Sequence, residues 1–241
     1  MMDYDALEAR WKALRSHGDV TVREVACEGV LRTLLCAELG PVEAPVVTIS
    51  AGVHGDEPAG VIALLTLAEG NALHGRFAYR LWPCTNPSGY RAGTRTNAEG
   101  VDVNRTFARG GSSPESRAII TANRDRKYAL ALDLHEDCDA SGFYCYAYNH
   151  GGIAHEVIAS ITDAGFELDA EPLLTPNPEA EREAIGGMSY SLLLIRNASP
   201  RVVTFETPSQ LELERRVAMH RRAVLSALDA LANSYDSQTS R

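Results

Sequence analysis

His54 and Glu57 stand three residues apart at the close of an apolar run, Val46 to Val53, and His135 closes a second such run, Ala129 to Leu134. Imidazole nitrogen and carboxylate oxygen together suit zinc. A set of two histidines and one glutamate leaves a coordination position open for water or substrate, which marks catalytic rather than structural sites. A histidine at a strand end is ordinarily a packing residue satisfied by a local hydrogen bond. Two of them, each ending an apolar strand and one correctly spaced from a carboxylate, make one zinc ion the better reading of His54, Glu57 and His135. Cys138, three residues beyond His135, reads as a packing or supporting thiol rather than a further ligand.

The elements that must position these side chains follow from hydropathy. Val46 to Val53 reads as a buried strand bounded by turn residues, and the helix expected over Ala59 to Leu67 begins just past Glu57. The ligands then sit at a strand-to-helix mouth, where open α/β sheets hold their ligands. Tyr4, Leu7, Trp11 and Leu14 form one face of an opening helix; Thr21 to Glu28 and Leu31 to Leu39 pair as strands joined near Gly29. Further strands are expected at Phe77 to Trp82, Phe143 to Tyr148 and Val202 to Phe205, and a helix at Ile153 to Ala164. Ser113 and Pro114 mark another helix start, with Ser as N-cap and Pro at the first position.

In the last helix, Ser209 and Glu212 have capping-box spacing, and Leu213, Val217, Val224, Leu228 and Leu231 form its inward stripe. The pairs Arg215-Arg216 and Arg221-Arg222 read as its solvated face, and the polar tail from about residue 234 as disordered. Arg109 to Ser112 and Glu171 to Glu179 read as loops. The whole is expected to be an α/β sandwich, one domain over residues 1–241 with a central mixed β-sheet flanked by helices.

Composition narrows the partners. Thirty-two acidic against 23 basic residues give a net charge of −9, which argues against a phosphate-binding surface and hence against nucleic acid. No secretory leader and no bilayer-spanning run are visible. The five cysteines, Cys27, Cys36, Cys84, Cys138 and Cys145, lack CxxC spacing, so reduced thiols and a cytoplasmic setting are expected. There is no GxSxG elbow, no P-loop and no GxGxxG after a strand.

Between the first and third ligands lies a turn-rich stretch, Asn86 to Arg105, containing Arg91, Arg95 and Arg105. A long loop inside a compact domain is uncommon unless functional or disordered. Its guanidinium groups are suited to gripping a carboxylate in a two-pronged geometry. As isolated surface charges they would contribute little, so their place beside the ligand set is what favours a functional reading.

The ordered set His54-Gly55-Asp56-Glu57, Asn86-Pro87-Ser88-Gly89, Thr94-Arg95, Gly100 to Arg105, Leu132-Asp133-Leu134-His135 and Thr204-Phe205-Glu206 resembles the zinc metallocarboxypeptidase family typified by carboxypeptidase A. That superfamily includes peptidoglycan-peptide amidases and the succinylglutamate desuccinylase and aspartoacylase group. The likeness spans about residues 45 to 210. Each motif is weak alone; their order makes the resemblance specific.

The resemblance implies roles. His54, Glu57 and His135 are similar to the zinc ligands, Arg95 to the arginine that polarises the scissile carbonyl, and Asn104 with Arg105 to the pair that binds a terminal carboxylate. Glu206 is similar to the general base. A carboxylate closing an apolar strand beside zinc can take a proton from water and pass it to the leaving amine. One departure stands out: aligning Gly186-Gly187 with the family's glycine pair puts Arg182 where carboxypeptidase A has a mobile tyrosine, with Tyr190 a nearby substitute. The substrate pocket is expected around Ile185 to Tyr190.

The expected substrate is a small peptide with a free carboxylate, or alternatively an N-acyl amino acid. A module that binds metal or ligand without catalysis is the third reading.

Overall fold

The computed structural model describes residues 3–17, 20–27, 33–73, 75–108, 110–175, 177–197, 199 and 201–239. Glu28, Gly29, Leu31 and Arg109, each named above, lie outside them. In chain order the elements are α1 (Tyr4–Ala13), β1 (Val20–Ala26), β2 (Thr33–Leu39), β3 (Val46–Ala51), α2 (Pro58–Glu69), β4 (Ala78–Trp82), α3 (Pro87–Ala92), α4 (Pro114–Ala122), β5 (Leu130–Asp137), β6 (Phe143–Tyr148), α5 (Ile153–Asp163), β7 (Leu168–Leu174), α6 (Pro178–Ala184), α7 (Tyr190–Asn197), β8 (Val202–Pro208) and α8 (Leu213–Thr239).

The strands form one eight-stranded mixed sheet in the order β1-β2-β4-β3-β5-β8-β6-β7. Its middle, β4-β3-β5-β8, is parallel, while β2 pairs antiparallel with β4 and β6 with β8. Parallel strands buried on both faces read as continuous apolar runs rather than alternations, and β3 and β5 are buried over nearly their whole length. One face packs α1, α2, α5 and α8 through residues such as Trp11, Leu64, Val157 and Val224. The other packs α4 and α7 through Ile119, Leu192 and Leu194. The chain leaves β3 for β4 on one side, then returns to β5 on the other. This reversal opens a crevice at the carboxyl ends of the parallel strands.

Several boundaries differ from the hydropathy reading. Helix α4 starts as expected, with the Ser113 and Ser116 side chains capping each other's backbone N–H groups. Helix α8 begins at Leu213, so Ser209 lies too far upstream to cap it. Its inward stripe is centred on Met219, Ala223, Val224, Ala227 and Leu231, whereas Leu213 and Val217 are half-buried. Of the tail expected to be disordered from about residue 234, residues 234–239 are instead the last turns of α8. Tyr235 packs its ring 6.2 Å from that of Phe77, and Asp236 pairs with Arg76, contacts with distant residues that no local pattern encodes.

The stretch Glu171 to Glu179, read as a loop, contains the end of β7 and the start of α6. Pro172 is tolerated because β7 pairs only with β6, and an edge strand can spare a backbone donor. Likewise Asn86 to Arg105 holds the short helix α3 and a 3-10 turn, Val103–Arg105.

Candidate active site

The carboxyl ends of β3, β5 and β8, with the crossover that follows β4, border one cleft of about 430 Å³, lined among others by His54, Glu57, Arg95, Asn104, Arg105, His135 and Glu206. All seven residues singled out by sequence therefore meet at one cleft. His54 and Glu57 come from the turn after β3, His135 from β5 and Glu206 from β8. Arg95, Asn104 and Arg105 come from the long crossover between β4 and β5. Gly55 explains how the first turn fits. A Cβ there would lie 1.9 Å from the Gly89 carbonyl carbon, so only glycine lets the ligand turn press against α3. Gly187 does the same for the pocket wall, since its Cβ would meet the Arg105 carbonyl oxygen at 2.5 Å.

The three proposed ligands converge. His54 Nδ1 lies 2.5 Å from Glu57 Oε1 and His135 Nδ1 lies 2.9 Å from Glu57 Oε2. One donor atom from each residue falls within 4.8 Å of the others. Both far nitrogens face acids: His54 Nε2 is 3.3 Å from Asp102 Oδ1 and His135 Nε2 is 3.3 Å from Asp133 Oδ2. Metal-binding imidazoles are commonly oriented through their second nitrogen in this way. The donor set, buried and with one face on the cleft, fits a zinc ion.

The electrostatics agree. Burial alone would raise the Glu57 carboxyl, but His135 and His54 outweigh it and bring it down to about 2. Burial likewise opposes a charged His135, yet Asp133 and Glu57 raise its pKa well above the ordinary value. Asp133 is itself held by Ser50 Oγ at 2.6 Å and Ser191 Oγ at 3.0 Å. Glu206 behaves differently. Burial pushes it up to about 8 despite the pull of His135, with Glu57, Asp137 and Asp133 adding like-charge repulsion. A carboxyl so poised can exchange a proton near neutral pH.

Arg95 is partly exposed. It reaches toward the ligands with Nη1 3.6 Å from Glu57 Oε1, while its Nε meets Asp102 Oδ2 at 3.1 Å. Asn104 is buried, and its Oδ1 accepts the Tyr190 N–H at 3.0 Å, leaving the amide nitrogen as its remaining donor. Asp102 thus touches Arg95 and His54 and lies 4.0 Å from Arg105. Burial would raise its carboxyl, but His54, Arg95 and Arg105 hold it well below the usual range.

Tyr190 cannot act as a mobile tyrosine. It is 2% exposed, and its hydroxyl accepts a hydrogen bond from Asn123 at 3.1 Å. Arg182 lines not this cleft but an adjoining chamber of about 740 Å³, which shares Tyr148, Asn177 and Ile195 with it. Of the expected pocket segment, Ile185 and Ser189 line the cleft, while Met188 faces the chamber. Cys138 is exposed rather than packed, and the five cysteines are all free thiols.

Sequence reasoning missed Asp102, Asp133, Glu136, Tyr146 and Glu181. Asp133 was detectable, since it stands two residues before His135 on one strand and so shares its face. Glu181 of α6 lines the cleft with its pKa raised by burial and drawn back by Arg105; no local signal marks it. Arg216, read as part of a solvated face, turns inward and pairs with Glu136.

A family model described as the succinylglutamate desuccinylase/aspartoacylase catalytic domain matches residues 43–171. Carboxypeptidase SOL1 of Arabidopsis thaliana is 31% identical over 117 residues, 40% of this chain and 24% of that protein. Murein peptide amidase A of Escherichia coli (strain K12) is 34% identical over 93 residues, 32% of this chain and 36% of that protein. The alignments thus span about a quarter to a third of these curated relatives. Among solved structures, a candidate metallopeptidase from Shewanella amazonensis superposes with a TM-score of 0.77 at 21% identity, covering 95% of this chain and 92% of that one. Carboxypeptidase A from Helicoverpa armigera superposes at 0.76 with 17% identity, covering 97% and 74%. The eight-stranded sheet and its helices are therefore the carboxypeptidase fold.

Proposed function

The chain belongs to the succinylglutamate desuccinylase/aspartoacylase catalytic-domain family, and on that premise we propose that it is a zinc-dependent hydrolase cleaving an amide bond in substrates that carry a free carboxylate, most directly as a carboxypeptidase-like enzyme on small peptides. The observation that carries this reading is the meeting of Glu206 with His54, Glu57 and His135 in a cleft that also holds Asn104 and Arg105.

Zinc held by His54, Glu57 and His135 would supply Lewis acidity, polarising the carbonyl and making water acidic enough to attack near neutral pH. The chain's own groups do the rest. Arg105 and the Asn104 amide nitrogen hold the substrate carboxylate, which fixes the scissile bond over the ligands. Glu206 takes the proton of the attacking water and hands it to the leaving amine. Arg95 swings from Asp102 onto the developing oxyanion and stabilises its charge.

A second reading is an N-acyl amino acid amidohydrolase, favoured by the family match itself. Its substrate needs only the first chamber. The peptide reading is favoured by the adjoining chamber, which gives a longer substrate room on the same wall. Among the described residues no helix is long and apolar enough to cross a membrane.

The deciding experiment combines elemental analysis with a substrate panel of short peptides, N-succinyl amino acids and N-acetyl amino acids. Peptide hydrolysis with one zinc per chain supports the first reading, and preference for the acyl amino acids supports the second. Stoichiometric zinc without hydrolysis of any of them would revive the reading of a binding module.

A further inference from the structure

We infer that Glu136 is a positioning residue for the His54, Glu57 and His135 centre, closing a reciprocal cap between the two chain segments that supply its ligands; the inference rests on the metal reading above. Glu57 occupies the N-cap position of α2, yet its side chain makes no capping hydrogen bond. Both of its oxygens are turned to the histidines. The first N–H groups of a helix have no partner within it, and an N-cap side chain usually supplies one. Here the acceptor comes from another element: Ala59 N–H donates to Glu136 Oε1 at 2.7 Å.

The exchange is mutual. Glu136 N–H donates to Glu57 Oε2 at 3.1 Å, so each segment's carboxylate accepts from the other's backbone. Glu57 and His135, the neighbour of Glu136, therefore cannot slide past one another without breaking both bonds. The side chain of Glu136 is completely shielded from solvent, and its second oxygen meets Arg216 of α8, whose side chain is 12% exposed. A carboxylate at that depth is tolerated because a donor and an opposite charge both satisfy it. Arg216 thereby ties the ligand pair to the longest helix. No step of the proposed reaction uses Glu136, and this geometry accounts for its presence.

Groups that orient metal ligands typically control affinity by about 10–100-fold. The test uses the full chain and the metal alone. Zinc affinity is measured by competition with a chromophoric chelator, and the visible spectrum of the cobalt-substituted protein reports ligand geometry. Glu136→Ala is expected to bind zinc about 10–100-fold more weakly, with an altered cobalt spectrum. Glu136→Gln keeps a carbonyl oxygen for Ala59 N–H and should retain the spectrum and an affinity within about threefold, well short of that loss.

Folded Glu136→Ala with unaltered affinity and spectrum would overturn the inference. If Glu136→Ala does not fold, weak zinc binding by Glu136→Gln overturns it, because the acceptor would then not be what matters. Retained affinity in Glu136→Gln supports it. Failure of the unaltered chain to bind zinc at all would sink the metal reading along with it, and is distinguishable because it needs no variant.

Discussion

His135 on β5 and Glu206 on β8 are register partners on neighbouring parallel strands, so the proposed ligand and the proposed base leave the same face of the sheet side by side. Adjacent strands lie about 4.8 Å apart, close enough for the base to reach water held beside the ligand. Glu206→Gln keeps size and shape but removes the base. Zinc content should be unchanged and kcat should fall about 10²- to 10⁴-fold; a retained rate would assign the proton to another group.

The pH dependence of Glu206 has a defined sign. The base works ionised, so the rate should rise with pH through its pKa, which burial pushes from 4.5 to about 8, and a bound dication would move that midpoint downward. For stability the folded value lies above the ordinary one. The contribution of Glu206 is therefore complete below about pH 4.5 and is lost as pH rises through about 8. In chelator-treated protein, urea titrations at pH 5 and 8.5 should show a smaller alkaline loss for Glu206→Gln than for the unaltered chain.

Arg95 and Arg105 should separate kinetically. Arg95→Ala removes an oxyanion partner and should lower kcat about a hundredfold or more, some 3 kcal/mol. Arg105→Ala removes a grip present in both ground and transition states, so it should appear mainly in KM. Steady-state kinetics on one good substrate would check both, and a kcat-only defect in Arg105→Ala would contradict its assignment.

Tyr190→Phe tests the inward placement of that ring. It deletes the hydroxyl bonded to Asn123 and leaves the backbone bond to Asn104 intact. A stability loss of about 1 kcal/mol is expected, with kcat and KM close to those of the unaltered chain. A large kinetic defect would restore a substrate-binding role.

His220 is fully buried on α8, with Nε2 3.1 Å from Thr207 Oγ1. Burial drops its pKa from 6.5 to about 3, helped by His135 and Arg216 and opposed by Glu57. A histidine depressed on folding stabilises fully above about pH 6.5, and this contribution fades as pH falls toward 3. His220→Gln cannot take up that proton. Between pH 6.5 and 5 its stability should fall by on the order of 1 kcal/mol less than that of the unaltered chain, read from urea midpoints at each pH.

Much of the site was legible because its parts are local. Val46 to Val53 and Ala129 to Leu134 are largely apolar, as parallel strands covered on both faces are, and each is followed by a histidine. Ser113 and Pro114 announce α4 because capping chemistry acts within four residues. The motif order carried the family resemblance, and with it Arg95, Asn104, Arg105 and Glu206.

What lies across space was not legible. No periodicity tells that β5 runs between β3 and β8, that Arg216 turns inward to Glu136, that Tyr190 is locked by Asn123, or that α8 continues to Thr239 through contacts with Phe77 and Arg76. The linear sequence alone determined which residues could ligate, donate and accept, since those are properties of side chains and their immediate neighbours. Only the tertiary structure decided which of them meet, because strand order and helix docking are set by packing between segments tens of residues apart.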